Sequence, residues 1–198
     1  MAQIDYFLTV LSPYVYLAGD RLEAIAARHG AAIRYLPLNA GALFPRTGGQ
    51  VRADRHPSRL AYRDQELRRQ SKKLGMKMDL RPPFDGTNPA PSSYAILAAQ
   101  KAGGGDLAGL VQGFARAHWA EGHNIAEPEV VAAVMAAHGF DPAIADRGIM
   151  MAADAYASNL EEAVLRGVFG LPSYLVGAEM FWGQDRLEDL DLFLSGAL

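Results

Sequence analysis

Apolar and polar positions change their spacing several times along the chain, and each change marks a new element. Ile4 to Val10 (Ile-Asp-Tyr-Phe-Leu-Thr-Val) is a short run rich in β-branched and aromatic residues that ends at Ser12-Pro13, the pattern of a buried strand. Pro13 suits the first turn of a helix, with Ser12 as its N-cap. From Tyr16 to His29, Leu17, Leu22, Ile25 and Ala26 recur at near-helical spacing until Gly30 stops the helix. Ala32 to Leu38 predicts a second strand, closed by Pro37. Strand, helix and strand in such close succession imply a parallel pair with a right-handed crossover.

The middle of the chain is patterned differently. Gly41 to Pro57 reads as loop, with Gly48-Gly49 and scattered arginines, and Ser58 to Lys73 as a charge-dense, exposed helix. Arg81-Pro82-Pro83-Phe84 admits no regular structure. Helices are predicted over Pro91 to Ala102 and Leu107 to Ala120, separated by Gly103-Gly104-Gly105. Further helices run over Glu127 to His138, from Asp141-Pro142, and over Asn159 to Arg166. Strand character returns at Ser173 to Val176 and Glu179 to Trp182, with Gly177-Ala178 at the spacing of a tight hairpin. A last helix runs from about Asp185 to Leu194.

Composition narrows the function. The 198 residues carry 19 Lys and Arg against 22 Asp and Glu, a net charge of −3 with no basic field for nucleic acid. No apolar run is long enough to cross a membrane. Met1-Ala2-Gln3-Ile4-Asp5 lacks the basic start and apolar core of a signal peptide, so a cytoplasmic protein is expected. The absence of cysteine excludes disulfides, thiolate metal sites and self-contained dithiol chemistry.

The order β-α-β, helical block, β-β-α resembles an α/β, thioredoxin-like fold with a large all-helical insertion. Residues 1–40 and 160–198 would form the thioredoxin-like domain and 41–159 the insertion. In thioredoxin-type folds a C-x-x-C pair occupies the turn found here as Ser12-Pro13-Tyr14-Val15, because free N–H groups at a helix start favour a thiolate. With serine and valine in the cysteine positions, that turn suits a thiol brought in by a ligand, and glutathione is the obvious candidate. Leu171-Pro172 precedes the hairpin where such folds place a cis-proline, which lets an extended peptide pair with residue 171 as an added strand. Alone, Leu-Pro would be an ordinary turn proline. Gly183-Gln184-Asp185-Arg186 opens the last helix, where Asp185 is either an N-cap or a partner for a ligand ammonium.

Taken together, Leu11-Ser12-Pro13-Tyr14 with Tyr16-Leu17-Ala18, Gly167 to Pro172, and Phe181 to Leu187 resemble the kappa-class glutathione transferases. They resemble the 2-hydroxychromene-2-carboxylate isomerase family more closely. The series Arg59, Tyr62, Glu66, Arg69 is similar to that family's Lys, Tyr, Asp, Arg pattern, while Gly48-Gly49-Gln50 departs from its Gly-Asn pair.

The resemblance implies a fold, a cofactor and roles. Ser12 would donate to the glutathione sulfur, Leu171 with Pro172 would bind the tripeptide backbone, and Gln184 and Asp185 would take the γ-glutamyl group. Arg59 would bring a positive charge near the ligand. Asn88 and Trp119 would line the substrate cleft, with Tyr94 and Trp119 forming an apolar wall, although a helix tryptophan is more often core. His118 and His123, five residues apart, are read as structural or surface histidines without metal. The implied activity is a glutathione-dependent isomerisation of 2-hydroxychromene-2-carboxylate-like and trans-o-hydroxybenzylidenepyruvate-like compounds in aromatic catabolism. The sulfur would add to the conjugated alkene and leave after bond rotation. The alternatives are a kappa-like transferase or peroxidase that consumes glutathione, and a non-catalytic thioredoxin-fold peptide-binding protein. A homodimer, a small aromatic substrate, no nucleic acid and no membrane complete the expectation.

Overall fold

Strand β1 (Gln3–Leu8) is buried on both faces, and its two-residue side-chain period assigns each face a different core. Ile4, Tyr6 and Leu8 point into the main core, and Phe7 into a second, smaller one. A computed structural model covering residues 1–198 gives the architecture. β1 pairs in parallel with β2 (Ala32–Pro37), Ile4 opposite Ile33 and Phe7 opposite Leu36. On its other side β1 pairs antiparallel with β3 (Ser173–Val176), which pairs antiparallel with β4 (Glu179–Trp182). The mixed sheet therefore runs β2-β1-β3-β4, and both hairpin strands fall where the alternation placed them.

The helices are α1 (Pro13–Ala18), α2 (Arg21–His29), α3 (Ala40–Arg46), α4 (Pro57–Leu74), α5 (Ala90–Ala102), α6 (Leu107–Trp119), α7 (Pro128–Ala137), α8 (Ala143–Arg147), α9 (Ile149–Leu165) and α10 (Leu187–Leu194). The main core joins Val15, Leu17 and Leu22 of α1 and α2 to Ile96, Leu110 and Phe114 of α5 and α6. Sheet and helical block thus share one packed interior. The second core sets Phe7 against Leu36, Leu38, Leu43, Ala163, Leu171 and Leu175. No helix is long and apolar enough to cross a membrane.

Four expectations change on contact with the structure. The helix expected over Tyr16 to His29 is two helices, because Gly19 adopts φ 60°, ψ −138°, which breaks the α path. The stretch from Gly41 to Pro57, read as loop, contains α3 and a 3₁₀ turn at Arg52–Asp54. Tertiary anchoring explains α3: the Asn39 side chain accepts from the Ala42 N–H at 3.3 Å, and Leu43 is fully buried in the second core. The helix expected over Asn159 to Arg166 begins ten residues earlier and runs unbroken across residue 159. The last helix is preceded by a separate 3₁₀ turn, Gln184–Arg186.

Candidate active site

Three chain segments meet at the end of β1. Ser12 has the extended backbone of an N-cap (φ −77°, ψ 123°), but its hydroxyl makes no capping bond. It donates instead to the Leu171 carbonyl at 3.1 Å, across 159 residues of sequence. Ser12 is pinned for this by its own N–H, which donates to the Thr9 carbonyl at 2.9 Å. The Leu171-Pro172 bond is cis. The Pro172 carbonyl accepts from the Gly183 N–H at 2.9 Å, tying the proline turn to the loop after β4.

This leaves backbone donors without partners at the same place. The Leu171 N–H makes no hydrogen bond within the protein, and neither does the Tyr14 N–H beside Ser12. Pro13 has no N–H at all. Since α1 spans only six residues, local donors rather than a long helix dipole define the electrostatics around Ser12.

Gln184 is buried, and its side-chain carbonyl accepts from Arg21, whose guanidinium also donates to the Leu17 and Ala18 carbonyls. Gln184 therefore ties this 3₁₀ turn to α2, and its side-chain carbonyl is already engaged. Asp185 caps nothing. Its carboxylate curls back over Gly183, whose φ of 113° favours glycine, and meets the Arg186 guanidinium at 3.1 Å while remaining half exposed.

An exposed aromatic pair flanks the proline turn. Phe169 and Trp182 meet edge to face, with ring centroids 4.7 Å apart. Gly170 permits this, since any Cβ there would collide with the indole. Both rings keep substantial solvent exposure, at 39% and 51%.

Tyr14, two residues from Ser12, donates its hydroxyl to Glu66 of α4 at 2.7 Å. Burial, and then this carboxylate, push the phenol well above its ordinary range, so it is a neutral donor at every working pH.

The sequence profile of the DSBA-like thioredoxin domain matches residues 3–195, nearly the whole chain. The chain belongs to this family. Among curated relatives, the 2-hydroxychromene-2-carboxylate isomerase of Pseudomonas putida is 27% identical over 187 residues, covering 93% of this chain and 90% of the relative. A solved 2-hydroxychromene-2-carboxylate isomerase superposes with a TM-score of 0.79 at 26% identity, covering 98% of this chain and 95% of that one. The cytosolic disulfide reductase DsbM from Pseudomonas aeruginosa with GSH shares the fold, with a TM-score of 0.68 at 22% identity, covering 98% of each chain.

Within this DsbA-like framework the expected site residues separate. Ser12, Leu171 and Pro172 converge, with Gln184 and Asp185 on the adjoining turn. Arg59 faces solvent without a hydrogen-bond partner; Arg63, on the next turn, is the α4 arginine directed at α1. Asn88 is exposed, and its side chain accepts from the Ala90 N–H at 3.0 Å, opening α5. Trp119 is 2% exposed within the main core, so the tryptophan at the site is Trp182. Tyr94 packs edge to face on Tyr156, away from Trp119. Periodicity held one missed signal: Leu60, Leu67 and Leu74, seven apart, mark the inward face of α4, and Arg63 lies on it while Arg59 does not.

His118 is buried beside the Trp119 ring, with centroids 5.0 Å apart. Burial pushes its pKa below the ordinary value, and the charge of Asp85 opposes this only in part. The folded state therefore favours the neutral ring. Stability from this group is present above about pH 6.5 and is lost as pH falls through the folded pKa. Urea midpoints measured at pH 7 and pH 5 should fall less in His118→Phe than in wild type. Equal falls would show that the buried ring does not drive the acid sensitivity.

Proposed function

We propose that the protein is a glutathione-dependent isomerase. It interconverts 2-hydroxychromene-2-carboxylate-like and trans-o-hydroxybenzylidenepyruvate-like compounds in aromatic catabolism. The observation that carries this reading is a serine hydroxyl held against the Leu171 carbonyl, beside a free Leu171 N–H, in a chain without cysteine. Named isomerase relatives over nearly the full length support it.

The residues fit glutathione. The unpartnered Leu171 N–H and the carbonyl beside it match the edge of an extended tripeptide. Asp185, capping nothing and half exposed, suits an ammonium group, and the Gln184 and Asp185 N–H groups, without backbone partners, suit a carboxylate. When bound, glutathione supplies the nucleophilic sulfur that the chain lacks.

The chain's own contribution follows from proton counting. Ser12 has a single O–H, which cannot serve the Leu171 carbonyl and a sulfur anion at once. Rotating the hydroxyl toward the sulfur gives a charge-assisted bond in place of a neutral one and frees the Leu171 carbonyl for a ligand N–H. The Tyr14 N–H is a second donor at the same turn. Phe169 and Trp182 offer an apolar surface for an aromatic ring next to it.

A homodimer in the cytoplasm belongs to the same reading. Ile149, Met150 and Met151 leave apolar surface at the start of α9 that the chain does not cover.

The test is isomerisation of a hydroxychromene carboxylate with and without glutathione, following free thiol throughout. Conversion that needs glutathione and leaves the thiol titre constant is expected. Loss of thiol in step with turnover would replace the isomerase with a transferase or peroxidase. No calorimetric binding of glutathione would leave a peptide-binding protein.

A further inference from the structure

The inner face of α4 carries a positive charge that finds no hydrogen-bond acceptor within the fold. Arg63 has a side chain only 12% exposed, yet its guanidinium makes no hydrogen bond. Its nearest carboxylate is Asp64, with 3.8 Å between Nη1 and Oδ1. The acidic side chains of this region have shorter contacts to other partners. Asp64 is gripped in a fork by Arg81, at 3.2 and 2.5 Å. Glu66 accepts from Tyr14, and Asp85 pairs with Arg52. Arg55 donates to the Gln50 carbonyl at 3.1 Å and lies over the Phe44 ring, bringing no anion.

Burial, then the charge of Arg52, weigh against the Arg63 cation, and Arg55 adds to them; only Tyr14 and Asp64 act the other way. A guanidinium stays protonated in such a place and presents five donors in a fixed fork. A largely buried cation whose one ion pair is long, and whose solvent-reaching N–H groups find no acceptor in the chain, is free to take an anion from solution.

We propose that Arg63, supported by Arg52 and Arg55, is a carboxylate-binding site attached to the Ser12 turn through Tyr14. The identity of its ligand rests on the isomerase reading, and two carboxylates in that reaction share the chemistry. One is the 2-oxo or 2-hydroxy carboxylate of the aromatic substrate, and the other is the glycyl carboxylate of glutathione. The planar fork binds either one bidentately, and Arg63 fixes the register of its ligand relative to Ser12.

The experiment compares wild type with Arg63→Met and Arg63→Lys by calorimetry and thermal melting. Phenylpyruvate is set against phenylacetone, which lacks the carboxylate, and glutathione against its glycyl ethyl ester. In wild type one carboxylated ligand should bind more tightly than its neutral counterpart. Arg63→Met should abolish that preference, weakening the carboxylated ligand about ten- to a hundredfold while leaving the neutral one unchanged. Arg63→Lys, which keeps the charge without the fork, should recover part of the loss. Discrimination within the phenylpyruvate pair assigns the site to the substrate; discrimination within the glutathione pair assigns it to the tripeptide. Unliganded Arg63→Met should melt at or above wild type, because a largely buried charge with only one long ion pair has gone. A much lower melting temperature, or equal binding of both pairs by wild type and variant, would overturn the proposal. None of these readouts uses isomerase turnover, so a protein that binds carboxylates through Arg63 but isomerises nothing would overturn the proposed function alone.

Discussion

Ser12→Ala should lose about a hundredfold or more in kcat for the glutathione-dependent reaction, while the protein melts close to wild type. The Ser12 hydroxyl is the side-chain donor aimed at the Leu171 carbonyl, and removing one preorganised donor to a developing or resting anion costs about that much in other active sites. The same change should raise the pKa of bound glutathione by about one to two units, because a hydrogen bond to a charged acceptor contributes roughly 1.5–3 kcal/mol. The fold should survive, since Ser12 makes no capping bond and its N–H contact to Thr9 is backbone. The Leu171 carbonyl loses its donor, but a bound peptide or water can replace it. The measurement is ultraviolet thiolate absorbance of the complex across pH, alongside turnover. An unchanged titration midpoint with normal kcat would remove Ser12 from the chemistry.

How much of this site was legible in the sequence depends on what each residue answers to. Ser12 and Leu171-Pro172 were legible because both sit at breaks in strong local patterns, Ser12-Pro13 just after the first strand and Leu171-Pro172 just before the third. The strands β1 to β4 were legible for the same reason. Alternation and tight turns are local, and the register Asp5 to Leu175 and Ser173 to Trp182 follows once they pair. Segment α3 was not legible, because its stability comes from Leu43 docking into a core that only the folded sheet creates. Trp119 and Trp182 illustrate the same point in reverse. A helix tryptophan is more often core, as Trp119 is, whereas nothing local in the sequence shows that Trp182, ending a strand, is left at the surface. The preference for Arg59 over Arg63 came from matching a pattern of residue types. The leucines at 60, 67 and 74 carried the orientation of the helix, which decides which arginine meets α1.

Asp185→Asn should weaken glutathione binding about three- to thirtyfold while leaving kcat at saturating glutathione nearly unchanged. The carboxylate is proposed to hold the ammonium end of the tripeptide, remote from the sulfur. Its contribution is then the same in ground and transition states, and it appears in binding rather than in turnover. The expected effect is smaller than for a buried charge pair, because the side chain is half exposed and solvent screens it. The Arg186 guanidinium at 3.1 Å competes for the same oxygen and lowers the figure further. A structural role predicts a different result. Asp185 caps no helix, so if its only task is the pair with Arg186, the asparagine variant should bind glutathione as wild type does. Titrating glutathione into both proteins at two salt concentrations separates the cases. A ligand-binding carboxylate should give a wild-type affinity that falls with salt and a variant affinity that does so less steeply. Equal affinities and equal salt slopes would leave Asp185 as a surface residue of the last turn, with the γ-glutamyl end held by the backbone N–H groups of Gln184 and Asp185 alone.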